Sequence, residues 1–478
     1  MKKIKYSFLT VLTGLLIWSC TTDFEETNTD PNKLTEITAG SALNPIIYEM
    51  VKRNAIQFRN VGAPVTQMFI MTDDYINAPF LYDFTENIGA STWNTYYTQL
   101  NNLKEMEAAA IREGLPNYQA IALTLKAYAL SMLTDCFGDV PMKNALEAEE
   151  GNWYPEFTPQ EEIYTQILKD LEYANSIYDV NVPMPYVEDI LFNNDVFKWK
   201  KFTNSLHLRL LLRISNRPET NAFTKMATMI NNPSQYPVFT GNDDEAVIQI
   251  TGMAPLLSPW DRPQDFGVFR YYSKFFIDNL NGFDDARRAI YAGKAKGLNN
   301  EDYGYIGVPI DYINEPLPDS IATASGVLNR LAEAPLIIPM MSYAEIEFIK
   351  AEMAQKGYIN DAEHYYKNGV KAALKMWDLE FPDDYFDNEL TAYNGTLEQI
   401  IVQKYFALFF TDYQAWFEHR RTNLPVLPTT TAMSNNQEMP SRLYYPLDAA
   451  DRNYQNYKEA VNRMGGDEIN VKVWWDQN

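Results

Sequence analysis

The sequence predicts a mainly helical, all-α domain that carries long decorating loops. Three observations predict it. Apolar residues recur at helical spacing, capping boxes mark helix starts, and the stretches between helices are long and rich in Pro, Gly, Asn and Asp. The helices announce themselves in chain order. Residues 119–134, QAIALTLKAYALSMLT, are apolar nearly all round, which predicts a helix buried between others. Thr158-Pro159-Gln160-Glu161 is a capping box with proline at the first helical position, and it opens an amphipathic run to about Ile177. Residues 196–214, VFKWKKFTNSLHLRLLLRI, read as a second buried helix with a more basic outer stripe. Ser342-Tyr343-Ala344-Glu345 opens a helix ending near Gly357, and Thr396-Leu397-Glu398-Gln399 leads into IIVQKYFALFF. Residues 246–250, AVIQI, read as a short strand.

Residues 343–377 add a supersecondary signal. Ala362, Tyr366 and Gly369 stand at the offsets used by a tetratricopeptide helix hairpin, where small residues let two helices approach and the ring fills the groove. A generic helical hairpin accounts for the same residues. No period of about 34 residues runs through the chain, so a regular solenoid is not expected. The loops fall at 71–92, 231–272, 295–335 and 422–446. No composition shift divides the body, so residues 39–478 read as a single domain.

Composition excludes several functions. The formal net charge is −23 over 478 residues, which removes any electrostatic footprint for nucleic acid or an anionic membrane surface. Two cysteines, Cys20 and Cys136, cannot make a disulfide framework, and three scattered histidines make no zinc signature. No cofactor is called for. Cys136, without a basic neighbour, reads as a small buried hydrophobe. The excess is aromatic: 32 Tyr, 25 Phe and 9 Trp, some of which must reach the surface and suit binding faces.

The N-terminus reads as an export device. Lys2, Lys3 and Lys5 precede an 11-residue apolar core, FLTVLTGLLIW, too short for a membrane span. Ser19 and Cys20 follow in an arrangement that resembles a bacterial lipobox. The expectation is a signal peptide over 1–19, a lipidated Cys20, and a flexible acidic tether over 20–38. An ordinary secretory signal with a chance cysteine is the alternative.

Catalytic signatures are missing from the sequence. There is no G-x-S-x-G elbow, Walker loop or G-x-G-x-x-G. Adjacent carboxylates such as Asp73-Asp74, Asp243-Asp244, Asp284-Asp285 and Asp383-Asp384 could serve a glycosidase. On the order of eight such pairs arise by chance at this composition, so they carry little weight.

Binding is better supported. The 71–82 loop, MTDDYINAPFLY, mixes Tyr75, Phe80 and Tyr82 with Asp73, Asp74 and Asn77. The 258–272 loop, SPWDRPQDFGVFRYY, mixes Trp260, Phe269 and Tyr271 with Asp261 and Arg262. Aromatic faces stack on the C–H face of a sugar ring while Asp, Asn and Arg meet its hydroxyls. The same surface suits an extended peptide, or the rings simply tie the loops down. Trp93, Tyr96 and Tyr97 are expected to pack in a helix, and Glu418, Arg420 and Arg421 to hold a helix end by ion pairs and carbonyl contacts.

Several segments, in this order and spacing, carry a resemblance: the lipobox with NTDPN, STWNTYYTQLNNL, AIALTLKAYALSMLTDCFGDVPMKNAL, FTPQEEIYTQILKDLEYA, FKWKKFTNSLHLRLLLRIS, PMMSYAEIEFIKAEMAQKGYINDAEHYYKNGVKAAL, IIVQKYFALFFTDYQAWFEHRRTNLPVL and PSRLYYPLDAADRNYQNYKEAV. The chain resembles the SusD/RagB group of nutrient-binding outer-membrane lipoproteins, most closely its SusD-like type 2 branch. That resemblance implies a helical fold of tetratricopeptide-like pairs, a location at the outer membrane facing the cell surface, and no bond-breaking chemistry. It implies an oligosaccharide or, in some members, a peptide as ligand. It also implies a partner, a SusC-like TonB-dependent barrel over which the lipoprotein sits as a hinged lid. Its motif residues are structural and transfer no ligand contacts.

Overall fold

Helices dominate because the apolar periodicity of the sequence is satisfied by helix-on-helix burial. Helix α1 spans Ala39–Gln57, α2 Ala90–Glu113, α3 Pro116–Phe137, α4 Gln160–Ile177 and α5 Val196–Arg213. Beyond a long loop layer come α6 (Tyr343–Gln355), α7 (Ala362–Met376), α8 (Leu397–Ala407), α9 (Gln414–Thr422) and α10 (Tyr454–Met464). The computed structural model describes residues 37–72 and 78–477. The lipobox, Cys20 and the acidic cluster therefore lie outside the described residues.

Sequence neighbours are spatial neighbours. Helix α1 packs on α2, α2 on α3, α3 on α4, α4 on α5, and α6 on both α5 and α7. These are the expected tetratricopeptide-like pairs. Gly114 ends α2 in the left-handed region at φ 67°, and Pro116 opens α3 two residues later, so the chain reverses within a short turn. Helix α3 is apolar all round because it is covered on all sides; its most apolar 18-residue window is 94% buried. Cys136 lies within it, fully buried, and burial pushes its thiol well up.

The α6–α7 hairpin follows the small-residue logic. A Cβ added at Gly369 would stand 2.9 Å from the Phe348 ring, so only glycine permits this approach. Tyr366 fills the adjacent groove, fully buried, its ring centre 6.3 Å from that of Phe348.

Two local expectations need correction. Thr158 does not cap α4. It lies in a short strand, and Asp139 Oδ1 accepts the Gln160 N–H at 2.9 Å in its place. The basic stripe of α5 is not an outer one. Arg209 and Arg213 are buried, and Arg209 Nε donates to Glu345 of α6 at 2.7 Å. The carboxylates that neutralise this stripe come from distant helices, so the stripe faces inward. By contrast, Ser342 and Thr396 cap α6 and α8 as expected, each accepting a backbone N–H at 3.2 Å.

Charges also close the far end of the stack. Arg421 Nη1 donates to Glu352 Oε1 at 2.8 Å, Lys404 lies 3.0 Å from Glu418, and Arg420 donates to the Asp135 carbonyl at 2.7 Å. Burial opposes ionisation of Glu418, but Arg421 and Lys404 outweigh it and hold the carboxyl well below the usual range.

The strands are short ladders between loops. They include β1 (Phe69–Met71), β2 (Val140–Pro141), β3 (Phe157–Thr158), β4 (Ala246–Ile250), β5 (Arg270–Tyr272) and β6 (Leu336–Met341). Each pairs antiparallel: β1 with β5, β2 with β3, and β4 with β6. The AVIQI stretch is β4, as its pattern predicts.

Candidate ligand-binding site

The β1–β5 ladder brings the two aromatic loops together. Phe69 faces Tyr272, Ile70 faces Tyr271 and Met71 faces Arg270. The antiparallel register makes the 71–82 loop leave where the 258–272 loop arrives. Thr72 extends the pairing, its N–H donating to the Phe269 carbonyl at 3.0 Å. A third segment flanks β5, with Tyr272 N–H on the Ser325 carbonyl and Val327 N–H on the Arg270 carbonyl, both at 3.0 Å.

The 258–272 loop is pinned from inside. Phe266 is buried, Arg59 Nε donates to its carbonyl at 3.0 Å, and the Arg59 guanidinium sits 5.2 Å over its ring. Gly267 passes so close to the 325–327 segment that an added Cβ would meet the Val327 oxygen at 1.9 Å. Its N–H donates to Asn329 Oδ1 at 2.8 Å. This anchoring leaves Phe269 outside, 56% exposed, at a left-handed φ of 56° that a bulky side chain rarely adopts. Trp260 is half-buried, edge-on to Phe266 with ring centres 4.7 Å apart. Tyr271 is half-buried, while Asp261 and Arg262 are exposed. Arg262 pairs with Asp265 at 2.8 Å.

The other loop divides. Asp73, Asp74, Tyr75 and Asn77 lie outside the described residues. Phe80 and Tyr82 are core residues and present no ring to a ligand, contrary to the sequence reading. The short helix Pro79–Leu81 turns both inward. Burial pushes the Tyr82 phenol up to about 12, and its oxygen accepts from Gln67 Nε2 at 3.1 Å.

An aromatic block continues from Trp260 into a neighbouring cavity. Phe410 lies 6.1 Å from Trp260 and 6.3 Å from Trp377, centre to centre. Trp377 lines a cavity of about 410 Å³, with Ile290 and Leu336 beside it and Arg330, Glu333 and Asp378 exposed at its edge. The Ser258 hydroxyl donates to the Ala332 carbonyl at 2.8 Å and ties the loop to this wall. Asp378 also borders a more polar cavity of about 520 Å³ lined by Asn242, Tyr343, Lys371 and Phe381.

A family profile described as starch-binding and associating with the outer membrane matches residues 31–446. The chain belongs to the SusD-like family. It is therefore an outer-membrane-associated member of a nutrient-binding family. Among solved structures this SusD-like chain is similar to a chitin-binding protein at 24% identity and a TM-score of 0.79, covering 92% of this chain and 100% of that one. It is also similar to a SusD homologue from Bacteroides fragilis at 23% identity, TM-score 0.80, with 92% and 100% covered. A SusD homologue from Bacteroides uniformis matches at 24% identity, TM-score 0.76, with 92% and 99% covered. At these identities the likeness is one of fold. No curated protein matches the chain.

The SusD-like site offers aromatic faces for stacking and polar side chains for hydrogen bonding. Of the adjacent carboxylates singled out in the sequence, three are held in ion pairs: Asp244 with Lys201 at 2.6 Å, Asp284 with Arg288 at 2.5 Å and Asp285 with Arg287 at 2.7 Å. Sequence reasoning missed Trp377 and Arg330, which lie far from both loops in the chain. The signal was KMWDLEFPDD, an aromatic and acidic stretch just past a helix end.

Proposed function

We propose that the protein is a surface-exposed lipoprotein that captures an oligosaccharide and delivers it to a SusC-like TonB-dependent barrel as a hinged lid. In this reading residues 1–19 are removed, Cys20 carries the lipid, 20–38 form the tether and 39–478 form the binding domain. The observation that carries the reading is the β1–β5 ladder, which holds the start of the 71–82 loop against the aromatic, polar 258–272 loop with its exposed Phe269, in a chain whose family is described as starch-binding. A structurally similar protein named as chitin-binding supports a saccharide over a peptide. Phe269 and Trp260 supply the stacking faces and Tyr271, Asp261 and Arg262 the hydroxyl partners, while Asp73, Asp74, Tyr75 and Asn77 stay candidate contacts by residue type alone.

Titration of the purified protein against oligosaccharides and peptides tests this. Saccharide binding without turnover is the expected result. Peptide binding with no affinity for any sugar would replace the saccharide by a peptide. Turnover lost on Asp74→Asn would make the protein a hydrolase. Co-purification with a TonB-dependent barrel tests the lid.

A further inference from the structure

Another aromatic cavity, of about 260 Å³, shares no residue with those beside the ladder. Its inner wall is Trp93 and Tyr97 of α2, rings 4.8 Å apart and packed as the sequence predicts. Its outer wall is Trp153, from the loop before β3. Asn94, Asp448 and Arg452 stand around it.

Trp153 is 69% exposed, yet the loop that carries it is fixed. Asn152 N–H donates to the Glu147 carbonyl at 2.9 Å, Asn456 Nδ2 to the Tyr154 carbonyl at 2.8 Å, and Asn453 Nδ2 to the Pro155 carbonyl at 2.7 Å. The backbone is thus held on both sides of the indole. Among the described residues, the Trp153 ring has no aromatic, cationic or hydrogen-bond partner, and neither has the Asn94 amide. A loop whose backbone is held by these three bonds, while neither side chain has a partner, is arranged for something external.

The geometry points to a second saccharide-binding site, with Trp153 as stacking platform and Asn94 and Arg452 as hydroxyl partners. This rests on the saccharide reading above. The cavity is smaller than the range of about 300–1,000 Å³ that suits drug-sized ligands, so it takes one ring while the chain continues outside. The Arg452–Asp448 pair is loose at 3.7 Å and exposed, so it exchanges readily for sugar hydroxyls. A protein-docking surface would instead be depleted of charge at its centre. Two sites on one chain raise the apparent affinity for a polymer above that for a short oligomer.

The test uses the whole protein on insoluble starch, chitin, cellulose and xylan, with Trp153→Ala, Trp153→Phe and Trp260→Ala variants. Trp153→Ala is expected to lower retention on the bound polymer about tenfold, with Trp153→Phe retaining most of it and both Trp153 variants melting like the unaltered protein. Retention unchanged by Trp153→Ala but lost by Trp260→Ala overturns the second site and leaves the function intact. Failure of the unaltered protein to bind any polymer overturns both. Loss of barrel capture by Trp153→Ala, with polymer retention unchanged, assigns the patch to the partner and overturns the proposal.

Discussion

Arg421 and Arg262 carry the same guanidinium into opposite surroundings. In the helical stack, Arg421 is buried and bonded to Glu352 and Glu418. In the loop layer, Arg262 pairs with Asp265, but their side chains are 72% and 44% exposed. The stack uses charge to lock one packing, because a buried ion left alone is costly. The loops keep charge in water, where a ligand hydroxyl can take its place at small cost. The aromatics divide the same way: Trp416 is wholly buried, while Phe269 stands open at a left-handed backbone angle.

Breaking the stack has the largest expected effect. Glu352→Ala leaves Arg421 short of a partner and should cost about 3–5 kcal/mol, read as a fall in denaturation midpoint. Arg262→Ala should change stability by less than about 1 kcal/mol. Equal losses from the two variants would erase the contrast.

Two carboxylates sharpen it through pH. Burial raises the Glu245 carboxyl to about 7. It lies between Asn242 and the Tyr343 N–H, which it accepts at 3.1 Å. Because the folded value exceeds the unfolded one, its contribution is intact below about 4.5 and is lost as pH rises to about 7. Glu245→Gln should therefore stabilise the protein at pH 8 relative to pH 5, by on the order of 3 kcal/mol. Glu418 acts oppositely: its depressed value gives stability that is present above the ordinary carboxylate range and lost on acidification. Thermal melts of each variant across this range check both signs.

Gly267→Ala tests how the loop is held. The new methyl would strike the Val327 carbonyl, costing about 1–3 kcal/mol and displacing Phe269, so ligand affinity should fall with stability. Smaller still, Ser342→Ala should cost about 1 kcal/mol by removing the α6 cap, without touching ligand affinity.

The same division decides what was legible. Helix α3 and the Ser342 and Thr396 caps rest on residues close along the chain, and Ala362, Tyr366 and Gly369 stand at hairpin offsets on one helix, so spacing along the chain reveals them. The cap on Gln160 comes from Asp139, and the partner of Arg209 from Glu345, which no local pattern announces. Phe80 and Phe269 sit in loops of similar composition. One turns into the core and one stays outside, and only the surrounding packing decides which. The pairing of β1 with β5 joins loops nearly 200 residues apart and had to be seen.

The most direct test is calorimetric titration of the protein with the oligosaccharide that binds best, repeated with Trp260→Ala and Phe269→Ala. The account predicts that Phe269→Ala melts like the unaltered protein, that Trp260→Ala loses some stability with its packing on Phe266 but stays folded, and that each binds at least about tenfold more weakly. Undiminished binding by both variants would contradict it and place the ligand elsewhere on the molecule.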